Sequence, residues 1–403
     1  MSAALTPDHS ASSRLPPRFV WLVATLVCLH ASMATTRVAA SLWVLRQGLG
    51  EWAVGLVLAS FAVAPMFLSM WAGRQADRYG LRRPLRIALV MALAGALLSV
   101  VFGQLWAIAL ACLLTGGALS VGAVGIQREA GRMAPDADTL KRLFSWISLG
   151  PALSNTLAPL AAGLLIDWQG FGAAFALALA LPLLAALLAA RIRAQRPPAS
   201  VQAQTPGRAW ALLREPQLLR LLLVNIILAA CWDAHGLVVP VVGHARGLSA
   251  SAIGAVLSSF AVATIAVRLF MTRWSGGLDE LRVLRLAIVV SAATLAVYAW
   301  LPGTAGLMLG SALLGVALGS VQPMVMSLLH QVVPASQQGQ ALGLRMTATN
   351  AATVAMPLGF GLLAAGTAAM APLWLMSAML VVALRAAQGL RQPKDHAGPD
   401  VEG

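Results

Sequence analysis

The residues able to do chemistry in this sequence are few, and they sit inside long apolar runs. His30, Ala34 and Arg37 follow i, i+4, i+7 in one run and share one face of a helix. Asp233 and His235 lie in a second run, and Asn155, Asn225, Gln322 and Asn350 lie in others. Ionisable groups in such surroundings are costly and mark functional positions by default. Amides there offer hydrogen bonds to a solute or to a neighbouring helix. These residues do not form a catalytic set. The sequence has no His-Glu-x-x-His, no Gly-x-Ser-x-Gly and no phosphate-cradling Gly-Lys-Ser/Thr. Cys28, Cys112 and Cys231 lie far apart, without metal-ligand spacing. The expectation is therefore a protein that is not an enzyme, holds no metal or cofactor, and is not driven by ATP.

The elements that position these residues follow from composition. Of 403 residues, 59% are hydrophobic and only 10% charged, against roughly 45–50% and about 25% in soluble domains. So little charge cannot cover a soluble surface of this size, which points to the bilayer as solvent. The net charge of +14 would fit a nucleic-acid binder if the charge formed one patch. It falls instead in clusters between alternate apolar runs: Arg74 to Arg86, Arg128 to Arg142, Arg191 to Arg220, Arg268 to Arg285, and Arg385 to Lys394. That alternation is the positive-inside pattern of a multi-pass plasma (inner) membrane protein with both termini cytoplasmic. No nucleic-acid partner is expected.

A transmembrane helix needs about 20 apolar residues, and twelve such stretches can be counted, centred near Leu29, Phe61, Ala94, Leu114, Leu153, Ala180, Ala229, Phe260, Thr294, Leu314, Ala352 and Leu375. The fold class is thus an all-α membrane protein of twelve transmembrane helices in two six-helix bundles. The expected organisation is a cytoplasmic tail over 1–17, a bundle over 18–190, a cytoplasmic linker over 191–216, a second bundle over 217–390, and a tail over 391–403. The linker carries Pro197, Pro198 and Pro206 among its arginines. The first run imitates a cleavable signal peptide, but its apolar character resumes through Val38 to Leu45, and it reads as a retained helix.

An internal repeat relates the two bundles. Residues 48–64 and 247–263 are identical at eleven of seventeen positions, at an offset of 199. The same offset carries Arg74, Arg83 and Arg86 onto Arg273, Arg282 and Arg285, and Gly116 onto Gly315. One step shorter, Pro159 and Gly163 fall on Pro357 and Gly361. Six helices per copy leave both copies in the same orientation, and parallel repeats about an axis along the membrane normal suit alternating access to a site between them.

The loop Gly73-Arg74-Gln75-Ala76-Asp77-Arg78-Tyr79-Gly80-Leu81-Arg82-Arg83 resembles the signature loop of the major facilitator superfamily. With the twelve spans and the repeat, the resemblance covers almost the whole chain. It implies that Gly73 and Gly80 allow close helix approach and a tight turn. It also implies that Asp77, with Arg78, Arg82 and Arg83, latches the halves at the cytoplasmic side in the outward-facing state, with Arg345 as partner. The second copy has Gly276 and Gly277 where Asp77 and Arg78 stand. Two departures argue against proton–drug antiport. Cys112 occupies the stretch of span four where the family's drug exporters carry an arginine, and their span-five antiporter motif survives only as Ala158-Pro159-Leu160-Ala161-Ala162-Gly163.

The offset of 199 places Asp233 on Ala34, on the same face as His30 and Arg37. A pseudo-twofold axis would turn both faces inward, so Arg37 and Asp233 are expected to meet across the outer part of a central cavity. Asp233 would then be the proton-sensitive group, set by the cost of burying a carboxylate against the nearby guanidinium. The alternative is that both only anchor the outer interface. His235 should face elsewhere, Arg268 should be a topological anchor, and Trp43, Trp52 and Trp168 should form an outer aromatic belt. His30, Gln322, Asn155 and Asn350 complete the expected substrate and proton pathway. These residues imply a monomeric secondary transporter of a small organic solute, neutral or with a carboxylate for Arg37, coupled to protons or sodium, with a lean to export. Proton-linked uptake of a carboxylate or sugar-like nutrient is one alternative. A transporter-shaped receptor without flux is another, although such receptors usually carry a soluble extension.

Overall fold

The computed structural model describes residues 17–133, 137–192, 213–273, 279–333, 338–366 and 370–390. The expected tails and most of the expected linker lie outside the described residues. The first bundle comprises α1 (Pro17–Arg46), α2 (Glu51–Tyr79), α3 (Arg82–Val101), α4 (Leu105–Met133), α5 (Ala137–Gln169) and α6 (Phe171–Ala190). The second comprises α7 (Pro216–Ala245), α8 (Ala250–Arg273), α9 (Glu280–Val297), α10 (Gly303–Val332), α11 (Gln338–Gly366) and α12 (Ala371–Gln388). Eleven of these helices are long and apolar enough to cross a membrane. The remaining one, α5, runs 33 residues and carries Pro151 and Pro159 in its interior. Side chains such as Val90, Leu187, Leu286 and Leu309, each more than 60% exposed, face outward. That is stable only where the surroundings are lipid.

The duplication is visible bond by bond. After α1, the amide of Leu49 donates to the carbonyl of Val44 (3.3 Å) and that of Gly48 to Leu45 (3.0 Å). After α7, Leu248 donates to Gly243 and Gly247 to His244, both at 2.9 Å. Each pair is displaced by 199 residues and forms the same helix stop. Gly48 and Gly247 hold φ of 70° and 67°, a backbone that favours glycine. Deeper in each bundle, a Cβ on Gly116 would strike the carbonyl of Phe61, and one on Gly315 that of Phe260. Here small residues let helix backbones touch, at positions again 199 apart.

The halves do not pack equally along their length. The ends carrying Arg18, Arg82, Arg132, Arg220 and Arg285 form the basic end; the turns at Gly48 and Gly247 lie at the opposite end. One cluster of buried apolar residues runs through the second bundle and continues into Val38–Leu45 of α1 and Val54–Phe61 of α2, at the opposite end. The other stays within the basic end of the first bundle, around Phe19, Leu26, Leu85 and Val121. The bundles therefore share a core at one end and separate cores at the other. Of the three expected belt residues, Trp52 and Trp168 are exposed, whereas Trp43 is buried in the shared core.

Candidate functional site

Between the bundles lies a cavity of about 930 Å³. Its walls come from α5 (Trp146, Pro151, Asn155), α7 (Asn225, Trp232, Asp233), α8 (Thr264, Arg268), α10 (Leu318, Gln322) and α11 (Arg345, Thr349, Asn350). Asn155, Asp233, Gln322 and Asn350 thus stand on one surface. A second cavity of about 80 Å³ lies closer to the opposite end, lined by Arg37, Ser41, His235 and Gly236, and shares Asn155 and Trp232 with the first. Arg37 and Asp233 meet between α1 and α7, with Nη2 3.9 Å from Oδ1. Gly236, one turn beyond Asp233, makes room for the guanidinium. A Cβ there would lie 2.8 Å from Arg37 Nη2.

Beyond the two cavities the bundles close. Gly55 of α2 rests on Pro357 and Gly361 of α11, and a Cβ on Gly361 would lie 2.8 Å from the Glu51 carbonyl. Gly254 of α8 rests on Pro159 of α5, and a Cβ on Gly163 would lie 2.8 Å from Ser251 Cα. These are the positions matched by the repeat, so the two crossings are copies of one another. Among the described residues, Asp167, at the end of α5, adds a polar contact in the second crossing alone. Its carboxylate accepts from the amides of Ala250 (2.9 Å) and Ser251 (2.7 Å), at the positively polarised start of α8.

Two expectations are corrected. His30 lines neither cavity; it is buried, and its Nδ1 has no partner. At that depth α5 closes over α1: Ser154 Oγ donates to the Val27 carbonyl (3.2 Å) and Gly150 seats on Val27. The helix that reaches the wall is therefore α5. Arg268, expected as a topological anchor, lines the large cavity, donating to Gly319 O and Gln322 Oε1, both at 3.3 Å. The cavity is thus richer in charge than the sequence implied. His235, expected to face elsewhere, stays off the wall of the large cavity but lines the small one beside Arg37. It stacks on Phe260 with centroids 4.4 Å apart and bonds Ser311 Oγ at 2.9 Å, which in turn bonds the Tyr298 hydroxyl at 2.7 Å.

The signature loop is partly described. Gly80 ends α2 with φ 68°, supplying the tight turn. No atom would lie within 4 Å of a Cβ on Gly73, so the close approach expected there is absent from this conformation. Arg78, Arg82 and Arg83 are exposed, and the guanidinium of Arg83 lies 4.2 Å from the Tyr79 ring centre. The Asp77 side chain lies outside the described residues. Arg345 donates to Asn225 Oδ1 at 3.4 Å. Sequence reasoning missed Trp146, Trp232 and Gly236; for Gly236 the available signal was a glycine one helical turn beyond an intramembrane acid.

Among the described residues, twelve α-helices in two like bundles, with a largely apolar cavity carrying a few polar groups at their seam, define a membrane transporter fold. The sequence profile of the Major Facilitator Superfamily matches residues 20–357 and, in a second match, 221–402, so the chain belongs to that superfamily. Among solved structures it is similar to a point mutant of the nucleoside transporter NupG, at 14% identity and TM-score 0.74, over 92% of this chain and 98% of that one. It is similar to a peptide transporter POT in complex with sulfate, at 16% identity and TM-score 0.76, over 93% and 94%. A POT family transporter in complex with 5-aminolevulinic acid gives 12% identity and TM-score 0.74, over 92% and 95%. At these identities the likeness is one of fold. No curated protein sequence matches the chain significantly.

Proposed function

We propose that this protein is a proton-coupled secondary transporter that moves a small organic solute across the plasma membrane by alternating access. The basic end and both termini face the cytoplasm, so the conformation described is inward-facing. The observation that carries the reading is the asymmetry of the seam. A large cavity with an apolar wall and a few polar and charged side chains lies toward the basic end, while symmetric helix crossings and the Arg37–Asp233 pair close the other. Parallel repeats around such a seam are built to rock. Asp233 is the coupling group. Its neutralisation by a proton releases Arg37 and loosens the outer closure, and its ionisation restores the pair. Asn155, Gln322 and Asn350 supply hydrogen bonds to the solute, and the loop containing Asp77, with Arg345, latches the opposite state.

The test is flux in proteoliposomes under an imposed pH gradient, across a panel of neutral and charged solutes. Asp233→Asn should abolish gradient-driven accumulation while leaving solute binding and exchange in place. Full gradient-driven activity in that variant would remove Asp233 from the coupling. Absence of flux for every solute that binds would favour a receptor over a transporter. The sidedness of the gradient that drives accumulation reads export against uptake.

A further inference from the structure

The charges on the cavity wall do not balance. Arg37 and Asp233 answer one another at the closed end. Arg268 and Arg345 line the large cavity toward the basic end, where Asp233 is the acidic lining residue, and neither has a carboxylate within 4.0 Å among the described residues. Their partners are neutral and distant. Arg268 reaches a carbonyl and the Gln322 amide oxygen at 3.3 Å, and Arg345 reaches the Asn225 amide oxygen at 3.4 Å. The Nε of Arg345 is buried with no acceptor. A guanidinium has five N–H donors and stays charged, and charge placed at membrane depth without a counter-charge is expensive. Arginines with a structural task look different in this molecule. Arg220 and Arg285 hold the last carbonyls of α12, Gly389 O at 2.7 Å and Ala387 O at 3.2 Å, as bases at a helix C-terminus do.

We propose that the cavity takes an organic anion whose acidic group is held by Arg268 and Arg345 and whose apolar body lies against Trp146 and Trp232. Arginine suits this task because its planar fork of donors matches a carboxylate. The indole rings give the body a flat apolar surface. The amide oxygens of Gln322 and Asn225, which now accept from the two guanidinium groups, are displaced by the incoming anion, a charged acceptor replacing neutral ones. The inference names the solute class of the transporter proposed above and rests on that reading for its physiological meaning. The binding site stands on the geometry alone.

The test uses the full-length protein and matched probe pairs: benzoate with benzamide, indole-3-acetate with indole-3-acetamide, and inorganic sulfate as a bare anion. Binding is read from tryptophan fluorescence and from the shift in melting temperature. Acids should bind and their amides should not. Arg268→Gln and Arg345→Gln should each weaken acid binding roughly tenfold or more, and Arg268→Lys and Arg345→Lys should recover part of it. The wild-type comparison of acid with amide needs no variant and survives any folding defect. Equal binding of acids and amides, no binding by any acid, or unchanged binding in both glutamine variants would overturn the proposal. Sulfate binding as tightly as every acid would reduce the site to a bare anion site and overturn the organic class. Acids that bind through both arginines without flux under any gradient would leave this site standing and sink the transporter reading. Flux confined to neutral solutes would do the reverse.

Discussion

At the scale of single residues, the pair formed by Arg37 and Asp233 depends on a residue with no side chain. Gly236 leaves the space in which the guanidinium sits, and a methyl group there would come within 2.8 Å of Nη2. Gly236→Ala should displace Arg37 and uncouple transport much as loss of the carboxylate does, lowering gradient-driven accumulation while exchange persists. Alanine favours the helix by about 0.5–1 kcal/mol over glycine, so the melting temperature should not fall. A variant with full coupling would show that Arg37 need not lie against α7. The pairing itself was legible in the sequence, because the repeat set Asp233 in register with Ala34 and helical geometry put Ala34 on the face of Arg37. Arg268 and Arg345 as cavity residues were not legible. An arginine a few residues from the end of a span reads equally as an anchor, and only the packing of neighbouring helices decides which way it turns.

At the scale of elements, the two crossings at the closed end share a backbone design but differ in polarity. Among the described residues, it is at α5–α8 that a carboxylate, Asp167, bonds the two amides that begin the facing helix, α8. Because they join the two bundles, these bonds would be lost if the halves parted there. Asp167→Ala should therefore favour outward opening by about 1 kcal/mol, a roughly fivefold change in population, given partial solvent exposure. A cysteine at Ser41, which lines the small closed cavity, would report this as faster labelling by an impermeant maleimide. The three native cysteines are buried, which keeps the background low. Unchanged labelling would show that the carboxylate only caps the helix. The helices and their order were readable from the apolar runs, since bilayer thickness fixes their length. The displacement of His30 by α5 was not, because it depends on how a helix with two internal prolines bends across its neighbour.

For the whole molecule, a shared core at one end and separate cores at the basic end would, on the proposed alternating access, be one position of a two-state device. The latch assigned to Asp77 should act only in the other position. Asp77→Asn should then deepen the bias toward the conformation described here, and labelling of the Ser41 cysteine should slow, opposite in sign to the change in Asp167→Ala. Faster labelling would mean that the loop stabilises the inward-facing form instead. The superfamily fold was legible because the signature loop, the repeat and the spans agree with one another, and such agreement across levels is what specifies a structure.

The walls of the large cavity are lopsided. Apart from one helix, α5, they are built from the second bundle, although both bundles descend from the same repeated unit. On the function proposed above, the two copies have specialised: the second would recognise the solute, and the first would keep mostly mechanical duties as its counterweight. Cargo preference in such a machine would then drift through substitutions in α7, α8, α10 and α11 without disturbing the glycine contacts about which the proposed rocking turns.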